Sequence, residues 1–214
     1  MRRIRIVVAY DGTNYCGWQI QPNGITIEEI LNRQISKLTG EDIRIIGASR
    51  TDSGVHALGN VAVFDTESRI PGDRFAYALN QKMPEDIVIV RSDEVQIDWH
   101  PRYQNEISKT YEYHIYNAKV RNPLKNRYST FVSFDLDVEK MRQGAKYILG
   151  EHDFASFCNV RTNAKDTVRT VHEITITEIL MDKFRASDYG QENSNLENEK
   201  EIVIRVTGNG FLYN

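Results

Sequence analysis

The chain is poor in the residues that would commit it to a special class. Cysteine occurs twice in 214 residues, as Cys16 and Cys158, far apart and in neither a CxxC nor a Cys/His cluster. That excludes a disulfide scaffold and supplies no metal-ligand set. Five prolines and 13 glycines exclude a collagenous chain. No window approaches the ~18 uninterrupted apolar residues of a membrane span. The start, Met1-Arg2-Arg3-Ile4-Arg5-Ile6, turns into an alternating strand where a secretory signal would carry an apolar core. We therefore read a cytoplasmic protein with no membrane partner. What remains is ordinary globular composition, 40% hydrophobic and 27% charged, long enough for one large or two small domains.

A strong excess of positive charge is also missing, since the formal net charge is −3. Its distribution keeps nucleic-acid binding open. Residues 100–130 carry Arg102, Lys109, Lys119, Arg121, Lys125 and Arg127 against Glu106 and Glu112, a net +4. Residues 173–201 carry eight acids against Lys183, Arg185 and Lys200, a net −5. The acid is concentrated in that segment, which includes a polar stretch, 190–200, whose composition predicts a solvated hairpin loop.

Hydrophobic periodicity divides the chain into two similar halves. A strand over Arg3–Tyr10 precedes a helix that opens on the capping box Thr26-Ile27-Glu28-Glu29 and closes at Gly40. Strands over Ile43–Ile46 and Gly59–Phe64 flank a loop, 47–58, and are followed by a helix over Pro71–Asn80 and a strand over Ile87–Val90. The second half repeats the theme: a strand over Lys109–Tyr116, a helix over Val138–Leu149 capped by Asp137 and ended by Gly150, and strands over Val168–Ile179 and Glu201–Thr207. The expected class is α+β, each half an antiparallel sheet with helices on one face. The boundary is expected where His100-Pro101-Arg102 interrupts the periodicity, giving halves 1–104 and 105–214.

Ionisable residues are densest in the loop Ser49-Arg50-Thr51-Asp52-Ser53-Gly54-Val55-His56. Arg50 and Asp52 suit either a structural ion pair or a site in which the cation keeps the carboxylate ionised. His56 fits a hydrogen-bonded turn residue better than a metal ligand or a catalytic dyad, because no third ligand or Ser/Cys nucleophile is patterned with it. The loop also lacks the Lys-Ser/Thr of a phosphate-cradling motif. A second cluster, Lys109-Thr110-Tyr111-Glu112-Tyr113, puts Lys109, Tyr111 and Tyr113 on one strand face. Tyrosines beside a cation suit base stacking, although tyrosine is also simply a good strand residue.

Ser49-Arg50-Thr51-Asp52-Ser53-Gly54-Val55-His56-Ala57 resembles the hallmark Gly-Arg-Thr-Asp-Ala-Gly-Val-His-Ala of TruA-type tRNA pseudouridine synthases, with Ser53 replacing its alanine. Four further blocks recur in order: Tyr10-Asp11-Gly12-Thr13-Asn14-Tyr15-Cys16-Gly17-Trp18-Gln19, Lys109-Thr110-Tyr111, His152-Asp153-Phe154, and Gly208-Asn209-Gly210-Phe211-Leu212-Tyr213. The resemblance spans the whole chain. It implies the pseudouridine synthase fold, with the active-site cleft between the halves, and isomerisation of uridine to pseudouridine in the anticodon stem-loop, at positions 38, 39 and 40 of tRNA. By the same resemblance Asp52 is the catalytic aspartate, Tyr111 the aromatic that stacks on the target uracil, and Arg50 the arginine that helps flip the nucleotide. No metal or organic cofactor is implied, and the partners are tRNA and a second copy of the chain in a homodimer. Arg2, Arg3, Arg5 and the basic residues from 102 to 127 are expected to extend the phosphate-binding surface. Members of the family continue past Phe-Leu-Tyr-Asn into a Met-Val-Arg segment, whose basic residue pairs with the catalytic aspartate, and a closing helix. This chain ends at Asn214, so its second half is expected to be truncated.

Two rival readings keep the fold without the chemistry. A noncatalytic RNA-binding or RNA-chaperone module would bind tRNA with steep salt dependence and convert nothing. A protein-interaction scaffold would do neither.

Overall fold

Alternation in the first strand signal becomes β1 (Arg2–Tyr10), in which Ile4, Ile6, Val8 and Tyr10 are buried. The computed structural model describes residues 1–103, 108–159, 166–180 and 199–212, and the chain divides into two compact units, Met1–Glu106 and Ile107–Asn214. The acidic segment expected at 190–200 lies almost entirely outside the described residues.

In the first unit β1 pairs with β3 (Ala57–Thr66) and β4 (Ile87–Val95), and β2 (Ile46–Gly47) adds to β3, giving the order β2-β3-β1-β4, antiparallel throughout. Two helices cover one face: α1 (Ile27–Thr39) and α2 (Phe75–Asn80). They bury Ile27, Leu31, Ile35, Phe75 and Leu79 against Ile4, Ile6, Phe64, Ile87 and Ile89. Each such side chain contributes about 1.5–3 kcal/mol by leaving water. α1 starts and stops on local chemistry. The Thr26 hydroxyl accepts from the Glu29 amide at 3.3 Å, and Gly40 takes the left-handed conformation at φ 78° that ends the helix.

The second unit holds β5 (Lys109–Asn117), β6 (Thr130–Val132), α3 (Val138–Ala145), β7 (Gly150–Asp153), β8 (Val168–Leu180) and β9 (Lys200–Gly208). Its sheet runs β6-β5-β9-β8-β7 and is antiparallel except at the β6 edge, where β5 and β6 are parallel. The Asp137 carboxylate caps α3 by accepting from the Lys140 amide at 3.0 Å. Among the described residues the buried core here is small: Ile115, Val138 and Ile202, with Leu136, Met141 and Ile176 packed against them.

Three element expectations are corrected. The strand over 43–46 shrinks to Ile46–Gly47, because the amides of Ile43 and Ile45 are taken by Ser36 Oγ and Asn32 Oδ1 of α1, each at 2.9 Å, in place of a strand partner. The helix over 138–149 stops at Ala145 and tightens to a 3-10 turn over Lys146–Ile148; Gly150, at φ 99°, opens β7 and does not cap the helix. The helix over 71–80 begins as a 3-10 turn, Gly72–Arg74, and becomes α-helical only at Phe75. Among the described residues no helix is long and apolar enough to cross a membrane.

Candidate active site

The loop between β2 and β3 is held by its backbone and displays its ionisable side chains. The Trp18 amide donates to the Thr51 carbonyl at 3.0 Å, and the Gly54 amide and Ser53 hydroxyl both donate to the Tyr15 carbonyl, at 3.3 and 3.2 Å. Within the loop the Val55 amide closes a turn onto the Asp52 carbonyl at 3.2 Å. One side chain below completes the clamp. Asn60, buried, accepts from the Ser49 amide, donates to the Ser49 carbonyl at 3.0 Å and reaches the Tyr10 hydroxyl, which in turn bonds Thr51 Oγ1 at 2.8 Å. Satisfied buried polar groups of this kind fix one backbone conformation.

The block Tyr10–Gln19 is the other half of the clamp. Tyr10, Tyr15 and Trp18 are buried, so their role is packing. Two glycines let the segments touch. A side chain at Gly12 would overlap the Val55 carbonyl; at Gly17, already at φ 80°, its Cβ would sit 2.6 Å from the Thr51 carbonyl oxygen. His56 occupies the structural place expected of it: the Gly12 amide donates to its Nδ1 at 3.1 Å, with the Asp11 carboxylate at the same distance from that nitrogen. Tyr15 anchors the far side by donating to Asp86 Oδ1 at 2.5 Å. Burial first, and then this hydrogen bond, push its phenol well above the usual range.

Against that fixed backbone Arg50 and Asp52 are exposed. Among the described residues neither side chain forms an ion pair or hydrogen bond, so the Arg50–Asp52 pair considered from the sequence is not made here. The carboxylate of Asp52 is therefore open on both oxygens, which is what a nucleophile or base acting on a bound substrate requires.

Tyr111 stands on β5 of the second unit, across from Val206 of β9. Register puts it on the sheet face that carries Ile115 and Ile202, beyond the small core, with 36% of its surface exposed. Phe211 meets its ring at right angles, centroids 4.9 Å apart. The approach depends on how β9 ends: the Asn209 amide and side chain bond Thr170 at 3.1 and 3.0 Å, and Gly208 lies against the Thr170 carbonyl. The resemblance of the block Gly208–Tyr213 assigns no role to Phe211. The signal was the aromatic following Gly-Asn-Gly at the end of a strand. Tyr213, from the same block, lies outside the described residues.

The opposite face of that sheet is polar. Glu201 accepts from His114 at 2.8 Å and from Lys125 at 3.1 Å, and these bonds, His114 first, lower its carboxyl below the usual range. The Tyr116 phenol is pushed up to about 12 by burial and by its hydrogen bond to Glu199.

The cations expected to form a phosphate-binding surface are largely engaged within the protein. Arg3 grips Asp65 with two hydrogen bonds, 2.7 and 2.8 Å; Arg5 grips Asp93 and lies over the Trp99 ring; Arg2 pairs with Glu94. Arg102 donates to the Gly47 carbonyl at 2.7 Å, Lys119 pairs with Asp135, and Arg121 lies over Phe131. Strand pairing brings the carboxylates to these arginines: Asp65 is opposite Arg3, and Asp93 opposite Arg5.

Comparison with known proteins accounts for this combination of blocks. A family model described as tRNA pseudouridine synthase matches residues 6–104 and 145–214. The tRNA pseudouridine synthase A of Acetivibrio thermocellus is 45% identical over all of this chain and 80% of its own length. Those of Ruminiclostridium cellulolyticum and a Thermoanaerobacter species are 44% and 42% identical over the same shares. Identity at that level over the full chain, with a family model matching most of it, shows that the chain belongs to the tRNA pseudouridine synthase family.

Proposed function

We propose that this protein isomerises uridine to pseudouridine in the anticodon stem-loop of tRNA, at positions 38, 39 and 40, with Asp52 as the catalytic residue. The observation that carries the reading is the contrast within one loop: a backbone fixed from Thr51 to Val55 and an Asp52 carboxylate left unpartnered and exposed. A structural aspartate in so tight a loop would be expected to cap one of the neighbouring amides, as Asp11 does for Thr13.

The chemistry needs little else. The carboxylate initiates cleavage of the N1–C1′ bond. The freed uracil turns and rejoins the sugar through C5; N1 gains a proton, and the C5 proton leaves. Extruding the nucleotide costs a few kcal/mol. Stacking on Tyr111, worth about 1–3 kcal/mol, offsets part of this, and Arg50, with no partner among the described residues, is available to the flipped nucleotide's backbone. On the family resemblance the working species is a cytoplasmic homodimer that binds tRNA across both subunits, which light scattering with and without tRNA checks.

The direct test is tritium release from tRNA labelled at C5 of uridine. The protein should release tritium at the sites converted, and Asp52→Asn should release none. Binding of tRNA without any release by the unaltered protein would make it an RNA-binding module instead.

A further inference from the structure

The engaged arginines of β1 raise the question of which cations of the first unit remain available to a polyanion. Arg33 and Lys37 of α1 and Lys82, just past α2, are exposed, and among the described residues none has a carboxylate at ion-pair distance. They line one groove that runs along α1 beside α2 and the segment just past it. Its two depressions, of about 370 and 480 Å³, share Gln34 and Lys82, with Arg33 on the first and Lys37 on the second. Among the described residues no carboxylate lines either depression; Asp86 lies behind the first, bonded to Asn14 and Tyr15. Gln34 and Asn14 add neutral hydrogen-bonding groups, and Tyr15, whose carbonyl holds Ser53 and Gly54, lies at one end.

Arg33 and Lys37 are one helical turn apart on the same face, close to the spacing of neighbouring phosphates along a strand. Lys82 meets them from the segment just past α2 and lines both depressions, so the three cations border the same groove. Solvated cations scattered over a surface are ordinary; three that border one groove, unpaired among the described residues, are the pattern a polyanion site needs.

We propose that the α1–α2 groove binds the phosphate backbone of the RNA substrate, through Arg33, Lys37 and Lys82, away from the arginines of β1. The proposal rests on tRNA being the substrate. Tyr15 joins this groove to the loop that carries Asp52, so a backbone seated in it is registered against that loop through the protein itself.

The test compares tRNA binding by the unaltered protein and by a triple variant, Arg33→Ala, Lys37→Ala and Lys82→Ala, across a series of salt concentrations. A double variant, Arg44→Ala and Arg69→Ala, removes cations equally unpaired among the described residues but outside the groove. The triple variant should bind about tenfold or more weakly at physiological salt, with a plot of log affinity against log salt shallower by about three contacts. The double variant should match the unaltered protein. Equal binding and salt slope for triple variant and unaltered protein overturn the groove, as does an equal loss in both variants or no tRNA binding by the unaltered protein. Tritium release is measured in parallel. An unaltered protein that binds tRNA through the groove but converts nothing contradicts the catalytic reading and leaves the groove standing.

Discussion

The two units are built on the same plan and filled very differently. The first lays two helices across its sheet and encloses a large cluster that includes Trp18, Phe64 and Phe75; in the second, among the described residues, the packed cluster of buried residues is Ile115, Val138 and Ile202. Its strands leave Tyr113, Ile179 and Leu180 exposed. The difference separates two tasks. A loop that must hold one carboxylate still needs a dense core and a second segment packed on its backbone. A sheet that presents aromatic rings needs only enough packing to keep its strands in register.

Core truncation should expose this contrast most strongly. Phe75→Ala should cost about 3–5 kcal/mol in chemical denaturation, because Phe75 is fully buried and edge-on to Phe64 at 5.3 Å. Ile115→Ala should fall near 2 kcal/mol, where a sparse site relaxes more easily. Equal losses would break the comparison.

Next in size is the clamp itself. Gly17→Ala, at φ 80° against the Thr51 carbonyl, should destabilise by about 1–3 kcal/mol. It should also lower uridine conversion by about a hundredfold, since the loop must move away. Gly40→Ala has a similar φ, 78°, but open space around it, so it should cost about 1–2 kcal/mol and leave conversion unchanged. Comparing the two glycines separates strain from displacement of Asp52.

A smaller effect is expected in the second unit. Phe211→Ala should remove about 0.5–1.5 kcal/mol of ring contact from Tyr111 and weaken substrate stacking, read as a raised KM. The smallest concerns acid. The carboxyl of Glu201 is lowered in the folded state, so its contribution is present above the unfolded value of 4.5 and is lost as pH falls through the lower folded value. Glu201→Gln should flatten that acid limb of stability while the rest of the pH profile stays in place.

Legibility in the sequence followed the range of the interactions. α1 was readable to the residue, because Thr26 and Gly40 act on their own helix. The loop 49–57 was readable as a motif whose resemblance pointed to Asp52 and Arg50, and the block Lys109-Thr110-Tyr111 pointed to Tyr111. What stayed hidden was set by partners distant in sequence. Asn60 holding Ser49 directly and Thr51 through Tyr10, and Asp65 and Asp93 claiming Arg3 and Arg5, depend on strand pairing register, while Ser36 and Asn32 of α1 take amides that a longer β2 would have used. β6 and β7, three and four residues long, are too short for period-two alternation to show.

The central claim is that the unpartnered carboxylate of Asp52 performs the isomerisation. It is tested most directly by mapping pseudouridine, nucleotide by nucleotide, in an unmodified tRNA transcript incubated with the protein and with Asp52→Asn. We predict new pseudouridine at positions 38 to 40 with the unaltered protein, and none with Asp52→Asn even though that variant binds the tRNA as tightly. Pseudouridine formed at those positions by Asp52→Asn would contradict the account.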